Sequence, residues 1–246
     1  MATVTTEDSA DPVPRSSATV LLLRDDPFEV LLVTRAARGA FASALVFPGG
    51  AIDPGDHDPA WRESASGFDE LADDERALRI GAVREVWEET GILLADGPAP
   101  VRDGREFRDA VTAAGARIRL DALTHFGHWI TPIAEARRFD THFFLAAVSP
   151  DTVAVPDGAE TLVAEWMPPA VALALAQSGE RPIIFPTMMN LARLAESGSS
   201  VEALAAARAR SRFTVQPEIV TEPDGARRIT ILPEAGYPVT VWQEYR

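Results

Sequence analysis

The chain is expected to adopt an α/β fold, a sandwich built on a mixed sheet. Three observations lead there. Of its 246 residues 46% are apolar, enough for one large core domain with an elaborated end. Runs of β-type residues and runs of helical periodicity both occur. They do not alternate with the regularity of a doubly wound parallel sheet, and no internal repeat is present.

The elements follow in order. MATVTTEDSADPVPRSS, residues 1–17, reads as a disordered lead-in; it has neither the basic start nor the apolar middle of a secretory signal. ATVLLLR (Ala18–Arg24) and FEVLLVT (Phe28–Thr34) are β-rich and flank the turn Asp25-Asp26-Pro27, so an opening hairpin or meander is expected. After a polar loop over Arg35–Ser43, a short strand at Ala44–Phe47 runs into Pro48-Gly49-Gly50, a backbone suited to glycine. Asp53 to about Asp73 is polar and turn-rich. From about Asp74 to Thr90 the pattern is helical, with Leu78, Ala82, Val86 and Ile80, Val83, Trp87 as its apolar band and Gly91 at C′.

A shorter helix is expected over Glu106–Ala114, then strands over Leu123–Pro132, Arg138–Val148 and Ala164–Met167. Helices over Pro169–Gln177, Pro186–Glu196 and Val201–Arg210 follow. Phe213–Val220 and Arg228–Leu232 would form a closing hairpin around Pro-Asp-Gly.

Composition excludes several functions. No cysteine is present, which removes disulfides, thiolate metal sites and a cysteine nucleophile. No apolar run approaches the roughly 18–20 residues of a membrane span, so a soluble cytoplasmic protein is expected. The formal net charge of -14 argues against nucleic acid as a partner. A small anionic substrate would need divalent cations or local arginines as mediators.

That acidity makes GAVREVWEETGILL (81–94) conspicuous, because Glu85, Glu88 and Glu89 fall on one side of the helix, away from Ile80, Val83 and Trp87. Such a trio is either a solvated face or an oxygen-rich pocket for Mg²⁺ or Mn²⁺. Two features count against the solvated face. The glutamates crowd the C-terminal turn, where the helix dipole disfavours negative charge, and a glycine-rich turn lies upstream. Arg84 supplies a donor fork that could hold one of the carboxylates.

FPGG (Phe47–Gly50) followed by REVWEETGI (Arg84–Ile92) resembles the Nudix box, and every fixed position of its second half is matched. Asp56 stands where that pattern has its first glutamate, and 27 residues instead of seven separate it from Arg84, an insertion of about twenty. FASALVFPGGAID, LRIGAVREVWEETGILL, HWITP and RRFDTHFFLA are similar to segments of the Nudix branch that includes a peroxisomal coenzyme A diphosphatase. The similarity covers roughly Leu31 to Ala170. A separate coenzyme A signature of other branches is only partly echoed by LLVTRAARGAFASALVFPGG, whose spacing is two residues short.

The resemblance implies a Nudix-type α/β/α sandwich: a lead-in over 1–17, a hydrolase domain over 18–180 with the insertion inside its box, and a helical and hairpin extension over 181–246 packed on the same domain. It implies hydrolysis of a diphosphate in a nucleoside diphosphate derivative, coenzyme A or acyl-coenzyme A first. The alternatives are ADP-ribose, dinucleotides or NADH, and a sensor that binds nucleotide without cleaving it. Metal ligands would be Glu85, Glu88, Glu89, a carbonyl of Gly49 or Gly50, and a distant acid, Glu160 with Glu165 as competitor. Glu85 is also a candidate base, and Arg84 would orient it, so that Arg84→Ala lowers turnover with little loss of stability. Arg35 and Arg138 (with Arg38 and Arg137 beside them) are candidates for the substrate phosphates. Trp129 is a candidate pocket wall, although the tryptophans as a set read as core. His57, His125, His128 and His142 show no paired metal-ligand spacing and read as surface or satisfied core. Homodimers are common in the family. The insertion over Pro59–Asp73 is expected beside the active site, its deletion changing specificity more than melting temperature.

Overall fold

The computed structural model describes residues 13–36 and 44–244. The first part contains β1 (Arg15–Arg24), β2 (Glu29–Arg35), β3 (Leu45–Val46), β4 (Gly49–Ala51), β5 (Ala65–Ser66), α1 (Asp73–Thr90), β6 (Ala95–Asp96), α2 (Phe107–Ala114) and β7 (Arg117–Arg119). β8 (Thr124–Ile130), β9 (Phe139–Ala147), β10 (Thr161–Met167) and α3 (Pro169–Gln177) follow. The chain then adds α4 (Phe185–Leu194), α5 (Ser200–Ala209), β11 (Thr214–Val215), β12 (Glu218–Thr221), β13 (Arg227–Thr230) and β14 (Val241–Glu244). The expected loop and lead-in fall largely on 1–12 and 37–43, outside the described residues, but Arg15, Ser16 and Ser17 of the lead-in are strand, held by pairing with Phe139, Asp140 and Thr141 of β9. No helix among those described is long and apolar enough to cross a membrane.

The principal sheet is mixed, as expected, in the order β10-β2-β1-β9-β8-β11, with β3 beside β2 and β4 beside β1. β1 runs parallel to β9 and β11 parallel to β8; the remaining pairs are antiparallel. Both faces are covered, so the central strands are apolar on both sides instead of alternating with polar residues. On one face Ala18, Val20, Leu22, Phe144 and Ala146 meet Leu78, Ala82, Val83 and Val86 of α1. On the other, Leu21, Leu23, Phe143 and Leu145 meet Phe185, Met188, Met189 and Leu194 of α4 and Ala203 and Ala207 of α5. β12, β13 and β14 form a separate small antiparallel sheet, closing as the Pro-Asp-Gly hairpin predicted.

The insertion does structural work, which argues against the expectation that its deletion would change specificity more than melting temperature. It folds as a 3-10 turn (Pro59–Glu63) and β5, and buries Trp61, Ala65 and Phe68 in the core beneath α1. Trp61 packs 5.3 Å from Phe107 of α2, and its Nε1 donates to Gly55 O at 3.0 Å. β5 joins β7 and β6 in a second small sheet.

Candidate active site

α1 begins with Asp73, Asp74 and Glu75, charges that suit the positive end of a helix, and ends at Gly91, whose φ of 72° is the left-handed cap that glycine provides. No basic residue lies in its last turn. Arg102, fourteen positions on, fills that role by donating to Glu88 O at 2.9 Å and to Val155 O at 2.8 Å.

Beside this helix β4 lies on β1, with Gly49 opposite Thr19 and Gly50 opposite Ala18. A Cβ on Gly49 would stand 2.4 Å from Ala18 O and 2.6 Å from Thr19 Cα, so its backbone is pressed against the strand. A Cβ on Gly50 would stand 2.5 Å from the Glu85 carboxylate carbon. The bare Cα is therefore the seat of that carboxylate. Gly49 N donates to Glu89 Oε2 at 3.1 Å, and Glu89, only 3% exposed, is buried rather than on a wet face.

Arg84 uses every N–H it has. Nε and Nη2 grip Asp56 Oδ1 and Oδ2 at 3.0 and 2.9 Å, Nη2 also reaches Ala51 O at 2.9 Å, and Nη1 bonds Glu85 Oε1 at 2.8 Å and Glu88 Oε2 at 3.0 Å. Asp56 is 2% exposed and is further fixed by Asp53 N at 2.9 Å. Gly81 leaves it room, since a Cβ there would lie 2.8 Å from Asp56 Oδ2. The residue in the place of the first glutamate of the box thus meets Arg84 across the insertion. The Arg84–Glu85 contact is as expected, but the stability expectation changes: Arg84→Ala would leave Asp56 a buried charge without its partner.

The electrostatics follow from this packing. Burial alone would lower the Arg84 guanidinium, but the Asp56 bond and the Glu85 and Glu88 charges outweigh it, so the side chain stays charged. Burial raises the Glu85 and Glu88 carboxyls; Arg84 pulls both back, while Glu88 and Glu160 raise Glu85, and Asp56 and Asp53 raise Glu88. One guanidinium set against Asp56, Glu85 and Glu88 leaves two negative charges unneutralised. A hard divalent cation matches that deficit and this all-oxygen donor set.

Glu160 and Glu165 part company. Asp157 Oδ1 accepts from Ala159 N, Glu160 N and Thr161 N at 3.1, 3.2 and 2.8 Å, a turn that carries Glu160 to the strand end whose charge is felt at Glu85. Glu165 pairs with Leu32, which lies in the core on the far side of the sheet from α1, and binds Arg181 at 2.8 Å.

Trp129 is a correction: it does not line this site. It is 3% exposed on the face opposite α1, where Nε1 donates to Tyr237 OH at 2.7 Å. Arg138 Nε donates to Thr131 O at 3.1 Å across the β8–β9 connection. Arg35 ends β2, but its side chain lies outside what is described, as does Arg38.

The histidine spacing concealed a convergence. His128, Asp140 and His142 offer ligand atoms within 4.8 Å of one another. Burial pushes His125 and His142 down to about 4, so both are neutral at pH 7. The alternation Asp140-Thr141-His142 was the available signal; the register that sets His128 beside it was not.

A family model, the NUDT19 Nudix domain, matches residues 62–194, more than half of the chain. The acyl-coenzyme A diphosphatase NUDT19 of Xenopus laevis is 26% identical over 226 residues, covering 68% of this chain and 60% of that protein. The Homo sapiens protein of the same name is 28% identical over 231 residues, covering 70% and 62%. The chain therefore spans about three-fifths of the length of these curated relatives. Among solved structures, a NUDIX hydrolase from Alicyclobacillus acidocaldarius is 32% identical with a TM-score of 0.66, covering 80% of this chain and 97% of that one.

Proposed function

This chain belongs to the Nudix hydrolase family, in its NUDT19 branch, and from that premise we propose that it hydrolyses the diphosphate of coenzyme A or an acyl-coenzyme A with Mg²⁺ or Mn²⁺. The observation that carries the reading is the Glu85 carboxylate seated on the bare Cα of Gly50, inside a cluster with two uncompensated negative charges. The names of the amphibian and human relatives support the substrate class.

Glu85, Glu88, Glu89 and Glu160, with the Gly49 carbonyl, would hold the ion. Once bound, it supplies charge neutralisation at the phosphate oxygens and a water of lowered pKa. The chain's own residues do the rest. Asp56 locks the guanidinium plane of Arg84, and Arg84 in turn fixes the direction of Glu85. Glu85, raised by burial, is poised to accept the proton of the attacking water. Glu165, committed to Arg181, takes no part.

A substrate panel tests this: coenzyme A, an acyl-coenzyme A, ADP-ribose, a dinucleotide and NADH, with Mg²⁺ or Mn²⁺, products read by mass. The coenzyme A compounds are expected to turn over fastest, giving two phosphate monoesters, and Glu85→Gln to slow them by about 10²-fold or more. A preference for ADP-ribose would overturn the substrate; unchanged turnover in Glu85→Gln would overturn the mechanism.

A further inference from the structure

The principal sheet presents a second set of ligand-type side chains that the carboxylate cluster does not use. His128 on β8 is paired with His142 on β9, and Asp140 precedes His142 by two residues. Cross-strand partners share a face, as do residues two apart on one strand. All three side chains therefore project from one side. Asp140 Oδ1 stands 2.5 Å from His128 Nε2 and 3.9 Å from His142 Nε2, and the two rings lie 4.0 Å apart. Each is partly open to solvent, with side-chain exposures of 19%, 36% and 22% for His128, Asp140 and His142.

Thr214 Oγ1 on β11 meets His128 Nδ1 at 2.8 Å. That bond holds the ring with Nε2 facing Asp140, as outer-shell partners hold metal-binding imidazoles. His142 has no hydrogen bond on either ring nitrogen among the described residues, its nearest acid being Asp140 at 3.9 Å. A purely structural His–Asp pair would not need it there.

We propose that His128 Nε2, His142 Nε2 and Asp140 Oδ1 form a second metal site, for a borderline ion such as Zn²⁺ rather than Mg²⁺. Two imidazoles and one carboxylate suit that class, and three protein ligands leave a position open to an exogenous group. Its place in the sheet gives it meaning. Gly50, Ala18, His142 and His128 are successive partners across β4, β1, β9 and β8. The site thus lies on the Glu85 side of the sheet, two strands along from Gly50 and roughly 10 Å away at the usual strand spacing. An ion there gives an anionic substrate a second positive centre. The site itself does not rest on the proposed reaction.

The test is Co²⁺ titration of the full chain in excess Mg²⁺, read by visible absorption, to which Mg²⁺ contributes nothing. One equivalent of nitrogen-ligated Co²⁺ is expected, displaced by Zn²⁺ and retained in Glu85→Gln/Glu88→Gln. Asp140→Asn and Thr214→Val should each weaken it about 10-fold or more, and His142→Ala should abolish it, with circular dichroism confirming the fold. X-ray absorption of the wild-type Co²⁺ form should show imidazole scattering, which needs no variant. An all-oxygen shell, or binding lost in the glutamate variant but kept in His142→Ala, would overturn the site. Neither result bears on whether Glu85 supports hydrolysis, so the two readings fail separately.

Discussion

Gly49 and Gly50 are neighbours with different tasks, and substitution separates them. A methyl on Gly49 would meet backbone atoms of β1 at 2.4 and 2.6 Å, neither of which can yield alone. The atoms nearest a methyl on Gly50 are the movable end of Glu85, at 2.5 Å. Gly49→Ala is therefore expected to lower the melting temperature clearly, whereas Gly50→Ala should leave it within a few degrees and cut turnover at least about 10-fold. Equal losses of stability in the two variants would contradict the seat assigned to Glu85. Arg84→Ala makes the complementary case. It strands Asp56 inside the protein, and breaking a buried pair from one side costs about 3–5 kcal/mol. Chemical denaturation should show that loss, with partial recovery of stability, though not of activity, in Arg84→Ala/Asp56→Ala.

The same carboxylates fix a pH dependence. Glu85 and Glu88 have folded values raised above the ordinary 4.5 by burial, with Arg84 opposing. Their contribution to apo stability is present below the unfolded value and is lost as pH rises through the raised folded values. A cation binds the ionised form, so protons compete with it. Mn²⁺ affinity, followed by calorimetry, should weaken from pH 7.5 to pH 5 in the wild type and do so far less in Glu85→Gln/Glu88→Gln. Affinity that is flat over this range would rule the two groups out as ligands.

At the scale of elements, legibility followed periodicity. α1 could be read to within a residue because its apolar positions recur at helical spacing and glycine closes it. β4 is three residues long and exists only through its pairing with β1, which no local pattern announces. Trp129 was misplaced for a related reason. β8 shifts register between His125 and Gly127, and that irregularity, which no local pattern announces, decides that Trp129 joins Phe126 in the core opposite α1. The insertion looked like a polar loop because its three core residues, Trp61, Ala65 and Phe68, are spread among charges. Trp61→Ala should cost about 3–5 kcal/mol by thermal or urea unfolding while substrate preference holds. An unchanged melting point with altered preference would restore the specificity role first expected of the insertion.

At the scale of the molecule, the question is whether residues 181–246 are an appendage. On one face of the principal sheet α4, α5, Val215, Ile229, Ile231, Ala235 and Tyr237 all pack, beside Ala172 of α3. Tyr237 OH accepts from Trp129 Nε1 and donates to Asn190 Oδ1 at 3.0 Å, tying the end of the chain to β8 and α4. Leu45 N also bonds Pro182 O at 2.9 Å, so the tie reaches the strand before the glycine turn. The two proposed units, 18–180 and 181–246, should then unfold as one. In urea, tryptophan fluorescence and circular dichroism are expected to give coincident transitions, and Tyr237→Phe to shift both by about 1–3 kcal/mol, because two buried polar groups lose their partner. A chain ending at Glu180 should expose the apolar face, bind a hydrophobic dye and lose its cooperative melt. If that shortened chain instead melts like the whole, the second layer is dispensable and the carboxylate site stands on the first core alone.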